Sequence, residues 1–380
     1  MKSSQHFDAI VLGVGSMGIA TCYELAKRGL RVLGIEQFDI LNNKSSHSGH
    51  TRIIRKAYFE HPDYVPLLER AYHQWNELET LSGNKIYHQT GLLYLDQKDG
   101  EVNSGVLKSS KLYNIEVAEW NPSILKNRFP GLEIIDGLQM LFEPNAGYLD
   151  VHQAFASYQK LASQYGAVLH SNEKVLKWNH VGDSIEVITG KANYSCDRLI
   201  ITAGPWSSPW LPSQVKLKIT RQVLSWITVP EEIQPLDLPC WLMTRPDGKG
   251  AYYGFPYSDH TESPGYKIGW HYPDQNVNPN EPIETPTEEE REEFLNQMQQ
   301  LVPNAKLSHH QSLTCLYTNT EDEDFVIDTL PDTDGKVIFA AGFSGHGFKF
   351  VSVIGELLAD LVTNDSSKLP WEFLRASRFE

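Results

Sequence analysis

Five groups of residues in this 380-residue chain have types and spacings that could do chemistry. The first is Gly13-Val14-Gly15-Ser16-Met17-Gly18, with Glu36 eighteen residues beyond the last glycine. Such a loop can hold a pyrophosphate. Gly13 permits a sharp turn, Gly15 lets backbone N–H groups approach phosphate oxygens, and Gly18 allows helix and strand to pack closely. A helix starting there adds unpaired N–H groups and a positive dipole end. Glu36 can accept hydrogen bonds from an adenosine ribose, and an acid at that position argues against a 2′-phosphate, hence against NADP. The loop does not separate FAD from NAD.

The second group is Thr51-Arg52-Ile53-Ile54-Arg55. Either arginine could clamp a carboxylate bidentately, and a pair of surface arginines fits the residue types equally well. A strand would send the two to opposite sides; a helix would put them on one face. The third is Lys267 with His271, which share a face if their segment is a strand. A lysine buried there would be a fixed cation able to stabilise negative charge on reduced oxygen; a surface lysine and a core histidine are the plain alternative. The fourth is Gly342-Phe343-Ser344-Gly345-His346-Gly347-Phe348-Lys349. Its small residues would let a ring lie against backbone and Lys349 could hold an anion, although a tight strand-to-helix connection has the same composition. The fifth is Cys315, whose plain reading is a small buried hydrophobe.

The elements that must position these groups follow from periodicity. Residues 7–12 and 30–35 read as strands flanking a helix over 19–28, with Gly29 as its stop. A polar loop spans 42–50, and an amphipathic helix spans 64–81. Residues 86–95 read as one strand, followed by a helix-rich stretch to about Pro130. A helix over 151–165 precedes strands at 167–170, 174–178, 184–189 and 197–204. From Lys216 to about Tyr317 strand alternation dominates, with one acidic helix over 287–301. Its Glu288, Glu289 and Glu290 read as a solvated first turn that favours the helix dipole. A strand at 337–341 and a helix over 351–361 close the chain.

The expected fold is α/β: a Rossmann-like dinucleotide domain from residues 1–90, 150–215 and 320–380, interleaved with a substrate domain from 91–149 and 216–319. The latter is built on a mainly antiparallel sheet with helices. Interleaving of this kind disfavours a simple NAD dehydrogenase and favours a flavin enzyme that encloses its isoalloxazine.

Composition narrows the partners. A net charge of −15 disfavours nucleic acid and anionic membrane surfaces. No apolar run approaches membrane-span length, and the start Met-Lys-Ser-Ser-Gln-His lacks an apolar signal region. The cytoplasm is the expected location, and a monomer or weak oligomer the expected state. The four cysteines are widely spaced, so neither structural zinc nor a disulfide framework is expected.

Taken together, the motifs resemble the monomeric sarcosine oxidase family, which includes N-methyltryptophan and pipecolate oxidases. The resemblance is carried by Gly13–Gly18 with Glu36, by residues 49–58 around Arg52 and Arg55, by Tyr252-Tyr253-Gly254-Phe255-Pro256, by Cys315-Leu316-Tyr317-Thr318 and by residues 341–349. It implies FAD bound covalently through Cys315. It implies oxidation of a secondary amino acid to an imine, with O2 as acceptor and H2O2 as product; a dehydrogenase with another acceptor is the rival. Lys267 matches an oxygen-activating lysine, Arg52 an arginine near the flavin, and His271 and Tyr317 active-site groups. Arg55, Lys349 and Tyr253 match the substrate pocket. Cofactor contacts are implied for Gly13, Gly15, Ser16, Met17 and Gly18, for Glu36 and Gln37, for Ser46, His47 and Arg52, for Val175 and Gly204, and for Gly345, His346, Gly347 and Lys349. The family has a histidine four residues before Arg52; this chain has Ser48 there, between His47 and His50.

Overall fold

The computed structural model describes residues 5–133, 137–260, 263–271 and 275–380. Its first sheet is made of apolar runs buried on both faces, the pattern of parallel strands. Gln5–Leu12 lies between Val32–Ile35 and Asn193–Ile201 and runs parallel to both. Ala9 and Val11 enter a core with Ile19, Leu25 and Leu357, while Ile10 and Leu12 enter the opposite one with Leu199 and Phe339. Helix Ser16–Lys27 connects the first two strands, and helices Val151–Gln164 and Val351–Asn364 pack beside it. Val337–Ala341 joins the same sheet in parallel with Asn193–Ile201. Chain segments more than 300 residues apart therefore build one layer.

The first turn depends on two glycines. Gly13 has φ +90, which L side chains rarely adopt. A Cβ on Gly18 would lie 2.0 Å from the Gly13 carbonyl oxygen, so only glycine lets the helix start this close to the strand.

The second sheet is mainly antiparallel and carries most of the chemistry. Its order is Ser308–Asn319, Lys218–Thr228, Gly265–His271, Ala251–Ser258, Cys240–Thr244, Leu92–Gln97, Leu138–Glu143 and Ala118–Trp120. One face packs Ile227, Trp241, Tyr252 and Ile268 against Phe294 and Met298 of helix Glu288–Leu301. Alternation assigns the other face. Gly269 stands opposite Tyr253 and Leu224, so Lys267 and His271 share that side with Tyr253, and the pairing of Gln222 with Cys315 and of Thr220 with Tyr317 brings both of those to it.

A third, small sheet of Thr51–Ile54, Gly147–Asp150 and Tyr87–His88 carries Arg52 on its first strand. It corrects the expectation of one strand over 86–95. Gly91, at φ +72, breaks that run, so Tyr87–His88 joins the small sheet and Leu92–Gln97 the large one.

The acidic helix also differs from expectation. Thr287 and Glu290 form a reciprocal capping box. Glu290 is not merely solvated: it takes the guanidinium of Arg221, which is 3% exposed, at 2.6 and 3.0 Å. Arg221 also donates to the carbonyls of Glu284 and Thr285 and to the Gln275 side chain. One buried arginine thus pins both ends of the 275–285 segment, whose middle residues wall the cofactor-sized cavity described below.

Among the described residues, no helix is long and apolar enough to cross a membrane. All four cysteines are free and buried.

Candidate active site

Two adjoining cavities lie between the sheets. The larger is about 490 Å³ and the smaller about 70 Å³, and Arg52, Tyr317, Gly345 and Phe348 line both.

The larger cavity begins at Glu36. The Glu36 carboxylate accepts hydrogen bonds from Val14 N at 2.9 Å and Phe38 N at 3.0 Å, so it braces the glycine loop. Burial raises its pKa against the pull of those donors. Gln37, Glu173, Lys174 and Val175 complete this end. The helix that follows has Gly15 at its N-cap and no side chain capping it, which leaves first-turn N–H groups available to an anion. Further along come Ser46, His47 and Gly204, and Asn278, Pro279 and Asn280 of the pinned segment form part of the wall.

The residues present fit a dinucleotide here. Ser16 Oγ and Thr318 Oγ1 belong to cavity-lining residues, are buried, and have no hydrogen-bond partner among the described residues. Buried polar atoms are rarely left in that state without a ligand or water. His47 Nε2 is in the same position, and burial with the Arg52 charge lowers the His47 pKa to about 4, so its ring stays neutral.

The smaller cavity is a basic pocket with aromatic walls. Strand Thr51–Ile54 ends one residue before Arg55, which frees Arg55 from alternation and lets it reach the same cavity as Arg52. The Arg55 guanidinium lies 4.3 Å from the Tyr58 ring and 4.2 Å from the Phe59 ring, and donates to both Glu60 carboxylate oxygens at 2.6 Å. Burial pushes the Glu60 carboxyl up, but Arg55 and its neighbours outweigh this and hold it at about 2. Lys349 donates to the His346 carbonyl at 2.9 Å; burial and then the Arg55 charge lower its pKa to about 7. Burial keeps His271 and His346 neutral, at about 3 and about 4. His271 Nδ1 lies 3.3 Å from the Tyr317 hydroxyl, and Tyr253 and Leu242 add to the wall.

Arg52 is held by carbonyls: Thr51 O at 2.8 Å, Ser46 O at 2.9 Å and Ser48 O at 2.6 Å. At position 48, then, it is the backbone that meets the guanidinium, and the Ser48 hydroxyl turns to Ser45 O. Lys267 lines neither cavity. Its ammonium donates to Gly49 O at 2.6 Å and Thr51 O at 2.7 Å, at the start of the strand that carries Arg52. Burial and the Arg52 charge push its pKa well below the ordinary lysine value.

Of the remaining expected cofactor residues, Gly13, Gly15, Ser16, Met17 and Gly347 line the larger cavity, while Gly18 is packed beneath the loop. His346 and Lys349 line only the smaller one. Cys315 lines neither and is buried on the sheet face shared with Tyr317; burial raises its thiol pKa against the charges of Arg52 and Lys267. Sequence reasoning missed Glu60. The available signal was an acid five residues after Arg55 behind Tyr58-Phe59, which gains meaning only once the loop folds back.

The family described as DAO, FAD dependent oxidoreductase, matches residues 8–361. Monomeric sarcosine oxidase of Bacillus sp. (strain NS-129) is 36% identical over 376 residues, covering 96% of this chain and 95% of that one. N-methyl-L-tryptophan oxidase of Salmonella heidelberg (strain SL476) is 30% identical, covering 98% and 99%. In fold, the chain is similar to the open form of NikD, an amino acid oxidase essential for nikkomycin biosynthesis, with a TM-score of 0.85 at 21% identity and coverage of 98% of both chains. It is equally similar to L-proline dehydrogenase from P. horikoshii, with a TM-score of 0.85 at 23% identity, covering 99% and 98%.

Proposed function

Because this chain belongs to the DAO family of FAD-dependent oxidoreductases, we propose that it oxidises secondary amino acids, N-methylated or cyclic, to imines and reduces O2 to H2O2. The observation that carries this reading is the pairing of Arg55 with Lys349 in a cavity of about 70 Å³ that opens on the larger one. Two cations on aromatic walls suit one carboxylate, and the volume suits a small amino acid better than an indole side chain.

The FAD would lie in the larger cavity, its ribose at Glu36, its pyrophosphate at the Gly13–Gly18 loop and its ring beside Arg52, Tyr317 and Gly345. The chemistry supplied there is two-electron oxidation of the C–N bond with oxygen as the final acceptor.

The chain's own residues prepare the substrate. Arg55 and Lys349 hold the carboxylate, which takes over donors now engaged by Glu60 and by the His346 carbonyl. The charges of Arg52, Arg55 and Lys349 lower the pKa of the bound amine, so it sits as the neutral base whose lone pair is available. Phe59, Leu242, Tyr253 and Phe255 exclude water. Lys267, fixed behind the Arg52 strand, supplies positive charge for reduced oxygen. Cys315 is the proposed point of covalent attachment.

The test is peroxide release in air from the yellow purified protein, using N-methylglycine, N-methyltryptophan and pipecolate. Peroxide formed in step with amine consumption supports the reading. Bleaching of the flavin without peroxide would point to a dehydrogenase with another acceptor.

A further inference from the structure

Glu143 ends strand Leu138–Glu143, is fully buried, and has no part in the chemistry above. One of its carboxylate oxygens accepts a hydrogen bond from Lys56 N at 2.7 Å. The other accepts from Ala57 N at 3.2 Å and from the Tyr94 hydroxyl at 2.8 Å. These two peptides follow directly on Arg55. The Ala57 carbonyl then accepts from Arg55 Nη1 at 3.1 Å. A continuous path therefore runs from the carboxylate through the 56–57 peptides to the guanidinium.

The position is a costly one for an acid. A buried carboxylate is tolerated only when its oxygens are fully hydrogen-bonded. Here three donors meet them, none of the three is a cation, and the surrounding rings are Tyr72, Tyr87 and Tyr94. A strand end facing a turn could accept the same N–H groups with a neutral side chain. What the carboxylate adds is two acceptors in one plane, which fix both peptides at once.

We infer that Glu143 is a positioning residue for substrate recognition: it clamps the 56–57 peptides so that Arg55 keeps its guanidinium aimed into the smaller cavity while the Glu60 contact is exchanged for the substrate carboxylate. The inference rests on the reading of Arg55 as a carboxylate clamp. Glu60 and Glu143 then divide the work, one occupying the guanidinium and the other holding the chain it hangs from.

The experiment is a double-mutant cycle on the FAD-loaded enzyme with Glu143→Gln, Arg55→Met and the pair, assayed with N-methylglycine and with uncharged N-methylglycinamide. Glu143→Gln raises KM for N-methylglycine roughly tenfold, as expected of partners in one hydrogen-bond network, and shifts kcat far less. It leaves the amide's kcat/KM nearly unchanged and adds little once Arg55 is methionine. Tyr94→Phe, which removes one of the three donors and keeps the ring, gives a smaller rise of about twofold to threefold; it carries the test if the glutamine variant does not fold. Equal losses on both amines, or effects that multiply in the double variant, would overturn the inference and leave Glu143 a purely structural acid. If Arg55→Met alone leaves the KM for N-methylglycine unchanged, the clamp reading fails and this inference falls with it.

Discussion

Arg55 and Glu60 form a two-point contact, with Nη2 2.6 Å from each carboxylate oxygen, at the wall of the cavity proposed to take the substrate. The clamp is therefore already engaged by an internal carboxylate, and a substrate must displace it. Glu60→Gln removes a competing negative charge a few ångströms from the binding point. Affinity for a simple carboxylate such as acetate, read by flavin difference spectra, increases about fivefold to tenfold. Stability falls by up to about 3 kcal/mol, because the glutamine retains one hydrogen bond to the buried guanidinium. Weaker acetate binding in this variant would show that Glu60 assists the anion.

Lys349 sets a pH dependence with a definite sign. Its pKa is lowered to about 7, so it is charged below that pH and neutral above it. His271 and His346, at about 3 and about 4, stay neutral across the working range and cannot mask the effect. The Kd of acetate is flat just below about pH 7, rises above it by up to about tenfold, and levels off once Lys349 is neutral and Arg55 alone holds the anion. In Lys349→Met the Kd is higher below about pH 7 and level across the same interval, so the two profiles converge above it. A wild-type profile without a break near neutrality would separate Lys349 from anion binding.

Lys267 should act on oxygen and spare the amine. Its ammonium is anchored by two carbonyls and lies outside the smaller cavity. Lys267→Met slows reoxidation of reduced flavin by about 10²-fold or more, the scale of losing one preorganised charge, while the rate of flavin reduction by N-methylglycine changes little. Stopped-flow absorbance measures both half-reactions. An unaltered reoxidation rate would refute the assignment.

Cys315 has a direct assay. If Cys315 is the proposed attachment point, flavin stays with acid-precipitated wild-type protein and is released from Cys315→Ser. Yellow precipitate from the variant would remove the proposed linkage.

Local signals in the chain account well for the glycine-loop region of the first sheet. The glycine loop, the acid at position 36 and the apolar strands act through neighbours in sequence, and each takes the conformation its residues favour. Alternation likewise put Lys267 and His271 on one face. What pattern could not show was where a strand stops. Arg55 reaches the cavity of Arg52 because pairing ends at Ile54, and residues 86–95 divide between two sheets at Gly91. Acids whose partners lie far along the chain were equally hidden. Glu290 meets Arg221 across 69 residues and Glu143 meets Lys56 across 87. The capping box of Glu290 is itself the pattern of an exposed helix start, and Glu143 has no local motif, so neither is told apart from a surface glutamate.

In the function proposed above, a secondary amino acid gives up electrons to flavin held between these two sheets. The most direct measurement is anaerobic mixing of the yellow protein with N-methylated and cyclic amino acids while flavin absorbance is followed. Bleaching that saturates with N-methylglycine or a small cyclic analogue is expected, with a half-saturating concentration raised at least about tenfold by Arg55→Met. Absorbance that no such amino acid diminishes, in protein shown to be loaded with FAD, would contradict that function.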